Sequence, residues 1–408
     1  MKELIKNRNF KNLMAVQTIE QIGDSLMLMS LFAWVMAMPG DQRAQNMSIL
    51  IFWVSLPIIL IGPFSGVIID RFKRKTLLLA ATVMKGSFIL LIWFFAGGYE
   101  SIPLIYGLVF MKSFATQFFI PAKSAFVPAV VNNDKKLIIA NSISATLMVI
   151  TQIMTYAAAG IAIAFFGVKT IILIAASMYV PAVIMIFFVR ADEKIKEKRE
   201  FPPVKKIILE LWDGLKFLFS DAKIKFVTRR VFAVTVAVTV VYIALTGSYL
   251  GYIIKQTGIA NKEVEALGFV MAAVGMGLVL GVIVVEKILK KIREVSLIRT
   301  VFPIIGAMVT GLYFYPNFYF LLVCAFVSGA CAVMLFGIAE TVIQKNTPVN
   351  MRGRIFASYY VFRNSGPAAA TGISGLLLLF MGEKEMVLAA GLVFVIYGAV
   401  NLLGAKRA

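Results

Sequence analysis

Long apolar runs recur along the whole chain, separated by short polar stretches. A membrane-spanning helix needs about 20 mostly apolar residues, and we count twelve runs of that kind. Continuous runs differ from the alternating pattern of a membrane β-barrel. The pattern predicts an all-α polytopic membrane protein with twelve transmembrane helices, at residues 13–37, 47–69, 76–97, 102–127, 138–165, 169–190, 228–254, 264–286, 297–315, 318–342, 354–380 and 386–404.

The basic residues between these segments indicate which side of the membrane each loop faces. Lys and Arg are frequent before the first segment and after the second and eighth, and they are absent after the third and ninth. Cytoplasmic loops carry the excess of positive residues. We therefore expect a multi-pass protein of a bacterial or archaeal cytoplasmic (inner) membrane, with both termini in the cytoplasm.

A polar stretch in the middle of the chain separates six segments from another six. It opens with a run of charges and a Pro-Pro pair, and apolar residues then recur at helical spacing up to Phe219. This spacing predicts an amphipathic helix that lies on the membrane surface or packs against the bundle. We predict an N-terminal half at 1–190, a cytoplasmic linker with this helix at 191–227, and a C-terminal half at 228–408.

Composition narrows the chemistry that is available to the protein. Of the 408 residues, 60% are hydrophobic and the formal net charge is +20. Such a charge can indicate nucleic-acid binding, but the basic loops of a membrane protein account for it, so we expect no nucleic-acid partner. The chain has no histidine, and Cys324 and Cys331 lie roughly 10 Å apart along one predicted helix, too far for a disulfide. We expect no metal site and no cofactor, so proton chemistry must use carboxylates.

The loop after the second segment carries a recognisable motif. It reads GPFSGVIIDRFKRKTLLLA over residues 62–80 and resembles the helix 2–3 signature of the major facilitator superfamily, with Lys73 where many members have glycine. A glycine allows close helix approach, and the charged residues can pair with helix ends, acids or lipid headgroups. The resemblance implies a gating motif, and membrane anchoring by positive residues is the alternative. The residues of this motif are Gly66, Asp70, Arg71, Arg74 and Lys75.

Two longer stretches resemble one branch of that superfamily. Residues 111–131 and 340–358 are similar to the helix 4–5 and helix 10–11 regions of drug:proton antiporters, the branch with macrolide-efflux and siderophore exporters. The helix 5 glycine-proline pair of many drug antiporters is missing. The stretches IGDSLML and IPAKSA also resemble bacterial lysophospholipid transporters. The resemblance implies two pseudo-symmetric six-helix halves that work by alternating access.

Ionisable side chains inside the predicted segments are candidate functional residues, since each costs at least about 2.5 kcal/mol at bilayer depth. Glu20 and Asp24 lie one turn apart on the first segment. With Gln17 and Gln21 they form a polar stripe that we expect to face the central cavity. In one interpretation at least one of the two acids takes up a proton or binds substrate, and Asp24 is the preferred candidate. In the other, both acids are held in structural ion pairs.

Basic residues in other segments complete the candidate set. Lys85 and Lys112 belong to the same half as the stripe and can reach it, and the resemblance implies a proton-relay or pairing role for Lys112. Arg363, midway along the eleventh segment, either binds an anionic group or pairs with an acid. The candidate substrate and proton-coupling residues are Gln17, Glu20, Gln21, Asp24, Lys85, Lys112 and Arg363.

These observations predict a secondary active transporter and not an enzyme. The chain contains neither a nucleotide-binding G-x-x-x-x-G-K-[ST] pattern nor a nucleophile motif. The leading hypothesis is proton-coupled export of amphiphilic or hydrophobic small molecules, and the alternative is transport of a lysophospholipid or another lipid. The expected partners are a small amphiphilic or lipid-like substrate, protons and membrane lipids, and we expect a monomer.

Overall fold

Helices account for every regular element in the part of the chain that the structure describes. The computed structural model covers residues 7–69, 72–96, 102–131, 134–189, 203–258, 263–289, 294–348 and 351–403. The helices are α1 (Arg8–Met36), α2 (Gly40–Ile69), α3 (Arg74–Phe95), α4 (Ile102–Val131), α5 (Asp134–Phe166), α6 (Val168–Ser177), α7 (Tyr179–Phe188), α8 (Val204–Ser220), α9 (Ala222–Ala244), α10 (Leu250–Gln256), α11 (Glu263–Leu289), α12 (Glu294–Phe314), α13 (Phe318–Asn346), α14 (Arg352–Leu377) and α15 (Glu383–Leu403).

Each predicted segment coincides with one helix or with two consecutive helices. The sixth segment is α6 and α7, which meet at Met178, and the seventh is α9 and α10, joined by a π-helical turn at Leu245–Tyr249. Among the described residues, nine helical stretches are long and apolar enough to cross a membrane. Outside these nine, α1, α14 and α15 coincide with the remaining predicted spans. The prediction of an all-α polytopic membrane protein is confirmed.

The helices pack as two compact units. The first contains Met1–Leu31 and Trp53–Ile208, and the second contains Phe32–Phe52 and Leu209–Ala408. Helices α1, α2 and α8 therefore contribute to both units.

The first unit has its own apolar core at one end of its helices. Side chains from α1, α3, α4, α5 and α7 converge there and exclude solvent. Leu13 of α1, Leu78 of α3 and Ala122 of α4 are completely buried in this core. Because the core includes residues of α1 and α3 just before Glu20 and Lys85 in sequence, it holds these two helices in a fixed relation next to the polar groups described below.

Small residues allow close helix packing in the second unit. Gly277 and Gly281 lie four residues apart on α11 and face α13. A Cβ atom on Gly277 would lie 2.9 Å from the carbonyl carbon of Phe326, and one on Gly281 would lie 2.7 Å from the carbonyl oxygen of Ala330. This spacing of glycines is the arrangement that brings the backbones of membrane helices into contact.

Candidate functional site

Four ionisable side chains of the first unit form one connected cluster. Lys85 Nζ lies 2.9 Å from Glu20 Oε2 and 2.8 Å from Asp24 Oδ2. Lys112 Nζ lies 2.6 Å from Asp24 Oδ1. With two carboxylates and two ammonium groups the cluster is formally neutral, which reduces the cost of holding these charges inside a membrane. The structure thus brings together the acids of α1 with the lysines of α3 and α4.

Two hydroxyl groups that the sequence analysis did not single out complete the cluster. The Tyr179 hydroxyl donates a hydrogen bond to Asp24 Oδ1 at 2.6 Å. The Thr82 hydroxyl donates one to Glu20 Oε1. Tyr179 lies at the start of α7 in an apolar segment, and nothing in the sequence around it distinguishes it from a packing residue.

Two glycines create the space that Tyr179 occupies. A Cβ atom on Gly23 of α1 would lie 2.8 Å from Tyr179 Cε2, and one on Gly86 of α3 would lie 2.8 Å from Tyr179 Cβ. Both glycines are next in sequence to a residue of the cluster, Asp24 and Lys85 respectively. The Tyr179 ring therefore fits in a slot between α1 and α3, from which its hydroxyl reaches Asp24.

A cavity of about 170 Å³ opens beside one part of the cluster. Asp24 and Lys112 lie in its wall, and their side chains are 22% and 12% exposed, whereas those of Glu20 and Lys85 are 2% and 1% exposed. The cluster thus has a cavity-facing pair, Asp24–Lys112, and a sealed pair, Glu20–Lys85. The cavity is lined by Gln21, Asp24, Ser25, Met27, Leu28, Val54, Val109, Lys112, Ser113, Gln152 and Tyr156.

The expectation that the whole polar stripe of α1 faces one cavity is wrong for Gln17 and Glu20. Glu20 points towards α3, where Lys85 and Thr82 bind it. Gln17 lies one turn before Gln21 and is buried among side chains of α4 and α5. At about 100° per residue Glu20 lies at the edge of the arc that faces α3. Gln17 is nearly in line with Asp24 but two turns earlier, where α4 and α5 cover it, so Gln21 and Asp24 are the two stripe residues at the cavity.

Gln17 belongs to a second, smaller polar group. Its Oε1 atom accepts hydrogen bonds from Lys123 Nζ at 2.7 Å and from the Ser144 hydroxyl at 2.5 Å. Its Nε2 atom donates to the Ser144 carbonyl oxygen at 2.8 Å. Lys123 is buried, and its hydrogen-bond partners among the described residues are neutral oxygen atoms. This group ties α1 to α4 and α5 next to the charged cluster.

Arg363 belongs to the second unit and has a carboxylate partner of its own. Its Nη1 atom lies 3.3 Å from Glu340 Oε1, and the Tyr360 hydroxyl donates to the same oxygen at 3.3 Å. The guanidinium carbon lies 5.3 Å from the ring centre of Phe336. Of the two alternatives left open by the sequence, anion binding and pairing with an acid, the structure has Arg363 in the paired arrangement.

The polar residues around the π-helical turn mainly serve packing. Thr246 hydrogen-bonds to its own helix, and the Tyr249 hydroxyl donates to the Leu312 carbonyl oxygen at 2.8 Å. Ser248 donates its backbone N–H to Glu383 Oε2 at 2.6 Å, so a carboxylate satisfies a donor at the turn. Tyr242 lines a separate, almost wholly apolar cavity of about 90 Å³ in the second unit.

Only part of the predicted gating motif can be located. Asp70 and Arg71 lie outside the described residues, Gly66 lies in α2, and Arg74 begins α3. Lys75 Nζ donates hydrogen bonds at 2.9 Å to the carbonyl oxygens of Phe187 and Val189, at the end of α7. Basic side chains stabilise the ends of helices in this way. The gating role of the motif stays a prediction.

The chemistry that the cluster allows follows from the position of Asp24. This carboxylate accepts from two ammonium groups and one phenol, and it is the one acid of the cluster that lines the cavity. A proton or a cationic group entering the cavity would compete with Lys112 for the same oxygen atom. The fold and the cluster together define a polytopic membrane protein with a charged, cavity-facing site inside one helical unit.

Comparison with known proteins identifies the family. A sequence model of the Major Facilitator Superfamily matches residues 14–371. The chain belongs to this superfamily of membrane transporters.

Its relatives include exporters. The uncharacterised MFS-type transporter YfiS of Bacillus subtilis is 23% identical over 100% of this chain and 96% of its own length. Macrolide efflux protein A of Streptococcus pyogenes is 21% identical over 85% of this chain and 84% of its own. These relatives fit the drug:proton antiporter branch that the sequence resembles.

Solved structures of two transporters share the fold. A point mutant of the nucleoside transporter NupG superposes with a TM-score of 0.77 at 10% identity, covering 98% of this chain and 99% of that one. A peptide transporter POT in complex with sulfate gives 0.76 at 12% identity, covering 98% and 95%. At these identities the likeness concerns the fold alone.

Proposed function

We propose that this chain is a secondary active transporter that exports amphiphilic or hydrophobic small molecules in exchange for protons, and that Asp24 carries the proton. It works as a multidrug-type antiporter in the inner membrane, with both termini in the cytoplasm. The macrolide efflux proteins among its relatives support the direction and the substrate class. The positive loops support the orientation.

The observation that carries the proposal is the different placement of the two acids. Asp24 shares its oxygen atoms between Lys85 and Lys112 at the wall of a cavity, whereas Glu20 is sealed behind it against Lys85 and Thr82. A group that exchanges protons with water must be reached from a cavity. Asp24 meets this requirement, and the buried Glu20 does not.

The cluster provides a simple way to couple a proton to a substrate. A proton on Asp24 removes its negative charge and weakens the attraction to both lysines. Lys112, the more exposed of the two, is then free to move, while Lys85 keeps its contact with Glu20. The positive charge left at the cavity disfavours a cationic substrate, and loss of the proton restores a site for it. Proton and substrate therefore exclude each other, as exchange requires.

Lipid transport has less support from the contacts. Recognition of a phosphate headgroup needs a basic residue that the anion can approach. In the lipid hypothesis Lys85, Lys112 and Arg363 would face the phosphate, and all three are paired with carboxylates. Lys85 is paired with Glu20 and Asp24, Lys112 with Asp24, and Arg363 with Glu340. An anionic headgroup would have to displace a carboxylate from any of them.

Transport into sealed vesicles tests the proposal. The purified chain is reconstituted into liposomes with an acidic interior, and uptake of a radiolabelled macrolide or a lipophilic cationic dye is followed together with internal pH. We expect uptake that depends on the gradient, accompanied by alkalinisation of the interior. Asp24→Asn should abolish both signals.

A matched substitution separates a coupling defect from a general loss of charge. Asp213→Asn makes the same chemical change on an exposed residue of α8, and this variant should transport like the parent chain. Transport by Asp24→Asn at the parental rate, with the same change in internal pH, contradicts the role of Asp24. Movement of lysophospholipid without a gradient, and of no drug-like compound, would favour the lipid hypothesis instead.

A further inference from the structure

Helix α8 contacts α14 around Leu211 and Gly214, within the second unit. Ile207 and Leu218, three turns apart on the same side of the helix as these two residues, are buried. Leu211 accepts a hydrogen bond through its carbonyl oxygen from the Ser358 hydroxyl of α14 at 2.9 Å. A Cβ atom on Gly214 would lie 2.9 Å from Ser358 Cβ, so the two helices touch at this glycine. These contacts hold the middle of α8 against the first turns of α14.

Two further contacts hold α8 at the same place. Glu210 Oε1 lies 3.3 Å from Arg354 Nη2, and the ring centres of Phe219 and Phe362 are 5.3 Å apart. These α14 residues belong to the first turns of the predicted span 354–380. Helix α8 therefore lies at the level where α14 enters the membrane.

A second face of α8 is apolar but stays exposed. Val204, Ile208 and Trp212 follow one another at four-residue intervals and are 52%, 54% and 55% exposed. Residues spaced in this way share one face of a helix, about 100° around from Ile207 in this case. Three large exposed apolar residues in a row on a soluble helix would favour aggregation, so something of matching chemistry has to cover them.

The chain connection keeps this face near the bilayer. Asp221 is the one residue between α8 and α9, and its side chain caps α9 by accepting from the backbone N–H groups of Lys223 and Ile224, both at 2.9 Å. Helix α9 begins the candidate membrane span Ala222–Gln256. Consecutive Cα atoms are about 3.8 Å apart, so the end of α8 cannot leave the neighbourhood of that span.

Basic residues border the exposed apolar face. Lys205 and Lys216 are exposed and lie beside it on the helix surface. The Nζ atom of Lys216 is 5.9 Å from the ring centre of Trp212. A tryptophan with neighbouring lysines is the composition of helices that lie at the headgroup level of a membrane. Lysines there attract anionic headgroups.

We propose that the Val204–Ile208–Trp212 face of α8 inserts into the adjoining leaflet of the membrane, and that Lys205 and Lys216 bind its anionic headgroups. The partner is the lipid surface itself. Helix α8 is then held between the bilayer on one side and α14 on the other, so that lipid composition acts on the helix that carries Arg363. The proposal is independent of which substrate the chain transports.

Fluorescence quenching by lipids tests the insertion. Trp34, Trp53 and Trp93 are replaced by phenylalanine in the full chain, which leaves Trp212 as the single tryptophan, and the protein is reconstituted at a high lipid-to-protein ratio. Lipids brominated near the headgroup should quench Trp212 strongly, and acrylamide in the water should quench it weakly. Adding anionic lipid should strengthen lipid quenching, and Lys205→Gln with Lys216→Gln should remove that increase.

The neighbouring residue gives a matched control. With Trp212→Phe and Asp213→Trp, the fluorophore moves one position around the helix to an exposed polar site, where acrylamide should quench it and brominated lipids should not. Equal behaviour of the two positions overturns the proposal. If Trp212 is shielded from acrylamide only at low lipid-to-protein ratios, the face is covered by a second copy of the chain. That result would also overturn the proposal.

A spin-label measurement tests insertion of the same face if the tryptophan variants do not fold. Cys324 and Cys331 are replaced by alanine, and a nitroxide is attached at Ile208→Cys or at Asp213→Cys. Collisions with oxygen dissolved in the membrane should dominate at position 208, and collisions with a water-soluble nickel complex should dominate at position 213. The reverse order, or no difference, contradicts insertion.

Discussion

Asp24 and Glu20 are carboxylates one helical turn apart that share Lys85 as a partner, yet only Asp24 lines the cavity. Asp24 borders a cavity and contacts two lysines and a tyrosine. Glu20 is enclosed by Lys85 and Thr82. The difference is created by the neighbours on α3, α4 and α7, and it separates a cavity-facing acid from one that holds the cluster together.

Removing the sealed lysine should cost more stability than removing the cavity-facing one. Lys85→Met leaves Glu20 buried without its cation, and breaking a buried pair in this way costs about 3–5 kcal/mol. Lys112→Met leaves Asp24 paired with Lys85 and hydrogen-bonded to Tyr179, so its cost should be smaller. Thermal unfolding of the two variants in detergent measures the difference, and an equal loss for both would contradict the division into sealed and cavity-facing pairs.

The Tyr179 side chain should contribute more through its ring than through its hydroxyl. Tyr179→Phe removes one hydrogen bond to Asp24 and keeps the slot filled, so a loss of about 1 kcal/mol is expected. Tyr179→Ala empties the slot between Gly23 and Gly86, and substitutions of this kind cost about 3–5 kcal/mol. Unfolding midpoints of the two variants give the comparison. A phenylalanine variant as unstable as the alanine variant would place the main role in the hydroxyl.

The sequence was sufficient to find the acids and the lysines, because charged residues stand out in apolar segments. It was not sufficient to separate Glu20 from Asp24, since that depends on which helix packs on each side of α1. It also did not reveal Tyr179, whose polar role comes from its approach to Asp24 through the slot between two glycines. The hydrogen-bonded group of Gln17, Lys123 and Ser144 was not predicted either, because it forms only where α1, α4 and α5 meet.

Close helix approach determines how the elements of each unit fit together. In the first unit, Gly23 and Gly86 admit the start of α7 between α1 and α3. In the second unit, Gly277 and Gly281 bring α11 against α13. Hydrophobic run lengths predicted a helical segment at each of these places, with α6 and α7 as one segment at 169–190, and the amphipathic spacing predicted α8. The break of the seventh segment at Leu245–Tyr249 was not predicted, because an apolar run shows its length but not a local change of hydrogen-bond spacing.

An alanine at Gly86 should disturb the packing of α3 against α7. Its Cβ atom would lie 2.8 Å from Tyr179 Cβ, and overpacking of this kind costs about 1–3 kcal/mol. Gly107→Ala on α4 is the matched control, because no atom lies within 4 Å of its added Cβ. There the better helix propensity of alanine should leave stability unchanged or raise it by up to about 1 kcal/mol. Unfolding midpoints that are equal for the two variants would show that the slot tolerates the extra methyl group.

The same reasoning applies to the contact between α11 and α13. An alanine at Gly277 would bring its Cβ atom to 2.9 Å from the Phe326 carbonyl carbon. Because the atoms it would meet belong to the backbone, they cannot rotate away, and we expect a loss of about 1–3 kcal/mol. Gly337→Ala on α13 meets no atom within 4 Å and serves as the control. Equal thermal stability of the two variants would contradict a tight α11–α13 interface.

For the molecule as a whole, the two units carry different chemistry. The first contains the charged cluster with its cavity, and the second contains the Arg363–Glu340 pair and an almost wholly apolar cavity. Membership of the Major Facilitator Superfamily establishes a transporter. The next question is which gradient drives transport. The position of Asp24 at the cavity makes proton exchange the proposal that the structure supports best.

Proton release on substrate binding tests this claim most directly. The purified chain in detergent and weak buffer is mixed with a macrolide or a lipophilic cation, and a pH indicator records the protons released while binding is measured on the same sample. At a pH low enough for part of the protein to carry a proton on Asp24, we expect the parent chain to release protons in proportion to the substrate bound by that part, and Asp24→Asn to release none. Equal release by Asp24→Asn, or substrate binding by the parent chain with no release at all, would contradict Asp24 as the proton carrier.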